Sequence, residues 1–356
     1  MTPAPRVALS LPGGGPSGAL YQVGALAAIH DHAGGLDSFA LYMGNAGGSV
    51  VAACLAAGVP IDRIYRGLLD PADDFFALDA RTVLRIDVDE WRRMTRTLSL
   101  AARHALLRWL PGRGLQGDAR MQDLVADQVE GFADSLPAGL FTLARFERFL
   151  ADFFLRREVP NTFRGMPRRL RISAQDLDSG ERVLFGSKGH DDVPVSLACA
   201  ASCALPVVFS PVRIGGRHFV DGGLQRTAHL DAAHELGCDL VVVVSPRVPA
   251  GARGEAVPTG HGPRASVRDK GMTWVYNQAR RISARAQLQF EVASAPAGTA
   301  ALVLEPEPED TILFMKGTST PEARRAMLEY AYRTTKSRLA TWLEQRPELG
   351  ERMGWK

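Results

Sequence analysis

Nowhere in this sequence do two cysteines stand in a Cys-x-x-Cys pair; the four present are Cys54, Cys199, Cys203 and Cys238. With no secretory context, that spacing predicts reduced thiols used for packing. Cys199 and Cys203 share a helical face at i and i+4 but have no neighbouring ligands, so no metal is expected. Residues Met1 to Arg6 lack the basic region and apolar core of an export signal, which predicts a cytoplasmic chain. Long apolar runs are missing too. The longest weakly polar one, Val193 to Phe209, carries two prolines and is too short to cross a bilayer, so any membrane contact is expected to be peripheral. Neither charge sign is in excess: 42 Lys and Arg stand against 39 Asp and Glu, which leaves no global field for nucleic acid and predicts no such partner.

What is there suits a folded domain: 46% of the 356 residues are apolar and 23% charged, and the length suffices for a large core. Val7 to Leu11 reads as a short strand, Pro12 to Gly18 as a glycine-rich loop, and Ala19 to His30 as a helix. Phe39 to Met43 is a second strand. It enters the sharp turn Gly44-Asn45-Ala46-Gly47-Gly48, followed by a helix of small residues that stops near Gly58. Two strand–loop–helix units in the first sixty residues predict a mainly parallel α/β sheet with its active edge at the strand C-termini. Further strands are expected at 169–175, 182–185, 212–214, 218–220, 240–245 and 301–304, and helices at 195–204, 272–292 and 321–343.

Between these lie two stretches of other character. Residues 61–164 read as helices and loops without a convincing strand, and within them Trp91 to Gly117 holds no acid while Arg92, Arg93, Arg96, Arg103, Arg108 and Arg113 alternate with apolar residues. A basic amphipathic segment bounded by Trp91 and Trp109 has the pattern of a lid or a membrane-surface element. Residues 246–270, rich in Pro, Gly and Ala, read as a flexible surface loop, and 271–346 as helices and a strand packing on the same domain.

Three stretches at strand ends share one chemistry. Acyl transfer through a serine needs a nucleophile clear of the backbone, a base for its proton, and N–H donors for the oxyanion. The turn around Ala46 has the form of a nucleophile elbow, with Ala46 where Gly-x-Ser-x-Gly requires serine. The glycine loop supplies backbone N–H groups beside a helix N-terminus, and Asp221-Gly222-Gly223 places a carboxylate on a tight turn.

Gly13-Gly14-Gly15-Pro16-Ser17-Gly18, Gly44-Asn45-Ala46-Gly47-Gly48 and Asp221-Gly222-Gly223 together resemble the patatin-like phospholipases, lipid acyl hydrolases that use a Ser–Asp dyad. The stretches Ser173 to Gly180 and Ala201 to Pro206 share the resemblance, which spans about residues 6–245 and leaves 61–164 as an unmatched helical insertion. The resemblance implies a three-layer α/β fold with a central, mainly parallel sheet, a lipid or acyl-ester substrate and no cofactor. It makes position 46 the nucleophile, Asp221 the general base and the backbone of Gly13, Gly14 and Gly15 the oxyanion hole, with Gly18, Gly44, Gly47, Gly48, Gly222 and Gly223 as motif support. Ser17 stands where the family usually carries a basic residue. Ala46 reads as a serine-to-alanine variant of an active hydrolase, the alternative being a naturally inactive relative that binds an acyl ligand or a partner.

Rival patterns are thinner. Gly13-x-Gly15-x-x-Gly18 fits the dinucleotide fingerprint, but its acid candidate, Asp37, precedes the second strand instead of ending it. His229 and His234 follow Asp221 too closely for a triad histidine, and they, His104 and His261 read as packing or surface residues. Ser49, one turn beyond the elbow, reads as a small polar helix residue, and the paired acids Asp73-Asp74 and Asp191-Asp192 as solvated turn residues.

Overall fold

The computed structural model describes residues 6–70, 72–76, 85–86, 92, 137–251, 257–307, 309–315, 317–318, 320–353 and 355. Strand β1 (Val7–Leu11) leads through the glycine loop into α1 (Gly15–Ala33), and β2 (Leu41–Gly44) through the elbow into α2 (Gly47–Ala56) and then α3 (Ile61–Leu69). Short β3 (Arg85–Ile86) and β4 (Gly139–Thr142) precede α4 (Ala144–Arg156), β5 (Leu170–Asp176), β6 (Arg182–Phe185) and α5 (Val195–Cys203). The chain continues through β7 (Val207–Phe209), β8 (Val212–Ile214), β9 (Arg217–Val220), α6 (Leu230–Glu235) and β10 (Leu240–Val244). Last come β11 (Val257–Thr259), β12 (Gly262–Arg264), α7 (Met272–Ala293), β13 (Ala300–Leu304), α8 (Pro321–Gln345) and α9 (Pro347–Met353).

The main sheet runs β13-β10-β1-β2-β5-β9-β8. Its first five strands are parallel; β9, β8 and the side strand β6 are antiparallel additions. All five residues of β10 are buried, as a strand covered on both faces requires. Side chains alternate between two cores. Leu9, Leu11, Val242 and Val244 pack with α1, α2 and α8 on one face, whereas Ala8, Leu41, Met43, Val241 and Val243 pack with α6 and Leu288 of α7 on the other. That is the three-layer α/β arrangement with a mainly parallel sheet. No helix among the described residues is long and apolar enough to cross a membrane.

Two expectations are corrected. Region 61–164 holds strands: β4 pairs in parallel with β7 and antiparallel with β3 as a separate small sheet. The signal was short because the partner, β7, lies beyond the region, and a strand of four residues carries little periodicity of its own. Region 246–270 is not featureless either. β11 and β12 form a hairpin, a capping box on Ser266 and Asp269 starts a 3₁₀ turn, and Val248 and Ala250 are buried. The segment Trp91 to Gly117, apart from Arg92, lies outside the described residues.

Candidate active site

The elbow is tight because its helix presses onto β1. A Cβ on Gly48 would sit 2.2 Å from the Leu11 carbonyl oxygen, so only glycine fits there. Ala46 takes φ 46° and ψ −127°, a backbone conformation rare for a residue with a side chain, and it caps α2. Its N–H donates to Ser202 Oγ at 2.8 Å. Ser49 Oγ donates to the Ala46 carbonyl at 2.5 Å, so this hydroxyl faces back into its own turn.

Gly13 lies against the elbow. A Cβ there would meet the Ala46 Cβ at 2.6 Å, which places the glycine loop beside position 46. α1 begins at Gly15, earlier than the apolar spacing indicates, with Gly14 as its N-cap and Gly15 at φ +66°. Among the described residues no backbone carbonyl accepts from the amides of Gly13, Gly14 or Gly15. These donors and the positive end of a 19-residue helix therefore share one locus. Pro246 backs the loop, close enough that a Cβ on Gly14 would be 2.6 Å from its Cγ.

Asp221 ends β9 with 3% of its surface exposed. Its Oδ1 accepts from the Gly223 amide at 2.7 Å and its Oδ2 from Arg280 Nη1 at 2.9 Å, while Arg247 Nη2 stands 3.7 Å from Oδ1. Burial lifts this carboxyl, but Arg247, Arg280 and the Gly223 amide together more than offset it and hold it below the usual carboxylate range. Arg247 is itself tied to the Gly223 carbonyl at 2.9 Å. Burial lowers Arg247 to about 10, which leaves it charged at neutral pH. Ser202 joins the two turns: its Oγ takes the Ala46 amide and its carbonyl takes the Gly222 amide at 3.3 Å. Ser173 Oγ donates to the Gly222 carbonyl at 2.9 Å from the neighbouring strand β5.

Beneath the elbow lies a buried polar relay. Glu291 of α7 accepts the amides of Thr227, Ala228 and His229, the last at 2.9 Å. His229 Nε2 is 2.8 Å from Asn45 Oδ1, and Asn45 Nδ2 donates to the Thr227 carbonyl at 3.1 Å. Arg182 Nη1 faces His229 Nδ1 at 3.1 Å, so Nδ1 accepts and the proton sits on Nε2. Burial, then the Arg182 charge, push the His229 pKa from 6.5 down to about 3. A pKa lowered on folding means that the unfolded chain takes the proton first. Stability is therefore lost as pH falls from about 6.5 towards 3, by up to roughly 1.4 kcal/mol per pH unit. Urea unfolding at several pH values is expected to show the stability gap between the parent chain and His229→Gln narrowing on acidification; a constant gap contradicts the neutral buried imidazole.

Position 46, Gly13 and its loop, and the Asp-Gly-Gly turn are thus brought to one end of the parallel strands. Gly44, Gly47 and Gly48 shape the elbow, and Gly18 packs under Pro246. Ser17 is half-buried in the first turn of α1. The paired acids are not merely solvated: Asp73 takes a two-pronged contact from Arg63 and Asp191 one from Arg164. Ser202, Arg247, Arg280 and Glu291 went unassigned from sequence, and His229, read there as a packing or surface residue, is buried and hydrogen-bonded to Asn45. Arg280 reaches Asp221 across 59 residues, a separation that carries no local pattern.

The chain is similar to VipD from Legionella pneumophila at 16% identity and TM-score 0.42, over 95% of this chain and 67% of that one. It is similar to the type III effector protein ExoU at 18% identity and TM-score 0.39, over 95% of this chain and 53% of that one. A further likeness is to the heterodimeric ExoU–SpcU complex of Pseudomonas aeruginosa, at 17% identity and TM-score 0.36, over 96% and 52%. The chain thus spans about two thirds of the first and about half of the others. A model of the family described as patatin-like phospholipase matches residues 9–234, well over half of the sequence, and the chain belongs to the patatin-like phospholipase family.

Proposed function

We propose that the parent of this chain hydrolyses carboxylic esters of lipids through an acyl-enzyme, and that the chain as given is nearly inert because Ala46 holds the nucleophile's place. The observation that carries the reading is the meeting of three parts at one point: the strained elbow at 46, the unpaired amides of Gly13 to Gly15, and the buried carboxylate of Asp221. With serine at 46, Oγ would attack the ester carbonyl as its proton passes to Asp221. The glycine-loop amides would hold the oxyanion, and the alcohol would leave with that proton. Water, deprotonated by Asp221, would then release the acid and restore the serine.

Restoring serine and following ester hydrolysis, with Asp221 replaced in the same background, tests this scheme. Within it, Gly13→Ala is expected to lower the esterase rate of the Ala46→Ser protein by on the order of 10² to 10³, the usual cost of disturbing an oxyanion donor. An unchanged rate would remove the loop from the oxyanion role. Ala46 itself favours a second reading, a catalytically silent family member that uses the same cleft to bind an acyl ligand.

A further inference from the structure

Helix α7 has two faces of opposite use. Its inner face reaches the site at four places. Arg280 holds Asp221, Arg281 Nη1 donates to the Pro246 and Val248 carbonyls behind the glycine loop, Gln287 donates to the Leu224 carbonyl, and Glu291 holds the turn that carries His229. Its outer face carries large apolar side chains that the described residues leave exposed. Met272 is 72% exposed, Val275 47%, Ile282 55% and Phe290 71%, with exposed Ala279 and Ala286 between them along one stripe. From Gly271 to Ala293 the sole acid is Glu291, which is buried, and the exposed Arg264 and Arg268 lie just before the helix.

We propose that this outer stripe of α7 is the face by which the protein lies on a phospholipid surface. The choice of lipid as occupant rests on the hydrolase reading; the face itself does not. The three arginines of α7 are engaged inward, Arg280 on Asp221, Arg281 on backbone carbonyls and Arg285 on Glu305. The outer face therefore offers bulky apolar side chains suited to acyl chains, and anionic headgroups would meet the exposed Arg264 and Arg268 just before it, beside Asp269. A partner helix is a poorer fit. Along the stripe of Met272, Val275, Ala279, Ile282, Ala286 and Phe290, alanine fills two of the six layers, so knobs for a helical groove are sparse. Lipid tolerates such isolated insertions. The stripe also belongs to the helix that holds Asp221, so a surface bound there lies one helix diameter, roughly 10 Å, from that carboxylate.

Sedimentation of the chain with phosphatidylcholine vesicles, plain or doped with phosphatidylserine, tests the assignment. Ile282→Asp with Phe290→Asp is expected to lower vesicle binding about tenfold or more, and phosphatidylserine to strengthen the parent's binding. Leu155→Asp, at a residue 80% exposed on α4, is the matched control and is expected to bind like the parent. If the aspartate pair unfolds, Ile282→Ser with Phe290→Ser gives the same comparison more mildly. Equal binding by stripe and control variants overturns the proposal. So does loss of binding only on replacing Arg92, Arg93, Arg96 and Arg103 by Gln, and so does a dimer in sedimentation equilibrium that the stripe variant dissociates. In the Ala46→Ser background the stripe variant is expected to keep its rate on a dissolved short ester and lose it on vesicles. Failure of all ester hydrolysis alongside stripe-dependent vesicle binding would refute the hydrolase reading and leave the docking face standing.

Discussion

Ala46→Ser is expected to raise hydrolysis of p-nitrophenyl esters by on the order of 10⁶, about 8 kcal/mol of barrier. The gain requires no rearrangement. Position 46 already carries a Cβ, its φ of 46° is already that of an elbow, and its amide is already fixed on Ser202 Oγ. The substitution therefore adds one oxygen to a prepared backbone, and its cost in stability is expected to stay within about 0.5 kcal/mol. Rates on esters of increasing chain length, beside the thermal midpoint of both proteins, measure the two effects. A serine variant no faster than the given chain would end the hydrolase reading and favour the acyl-binding one.

In that serine background, Asp221→Asn is expected to cost on the order of 10⁴ in rate. The asparagine keeps an oxygen for the Gly223 amide but cannot accept the nucleophile's proton. Asp221→Asn and Asp221→Ala both remove the countercharge that Arg247 and Arg280 face, which costs about 3–5 kcal/mol of stability. Asp221→Ala is expected to be as slow and less stable still, because it also leaves the Gly223 amide without its acceptor. Comparing the two separates the rate loss that they share from the stability lost with the turn's own hydrogen bond. A serine variant indifferent to both substitutions has a different base. The sign of the acid dependence follows as well: a carboxyl held below its ordinary range contributes stability at neutral pH that is lost as pH falls through its lowered value.

The parts of this site that were legible in sequence are those made by short backbone segments. Glycine spacing around position 46, the glycine run after β1 and Asp221-Gly222-Gly223 each encode a turn whose geometry depends on neighbours within a few residues. The sheet followed from the same local signals, since β1, β2 and β10 are mostly apolar runs at strand length and β5 alternates apolar with polar residues. What stayed hidden is the side-chain support. His229 looked like one more helix histidine, and only the fold brings its ring to Asn45 across 184 residues. Arg247 sat in a stretch whose composition suggested a loose surface loop, yet its guanidinium is buried against Asp221 because Pro246 packs on the glycine loop and pulls the chain inward. Arginine is usually read as a surface residue, so no spacing rule marks one that serves a buried carboxylate.

The strand order carries a consequence for how this protein is made. β1, the earliest of the described strands, pairs with β10, and β10 with β13, so the sheet beneath the glycine loop lacks its last described strands until residue 304 has been added. Arg280 and Glu291 arrive on α7 just before that. A nascent chain halted at residue 234, where the family match ends, would expose the edge of β1 that β10 covers and leave Asp221 without Arg247 and Arg280. Assembly of the site is therefore a late event, completed from the C-terminal side, and the half-made chain depends on being kept from pairing its open sheet with other chains in the meantime.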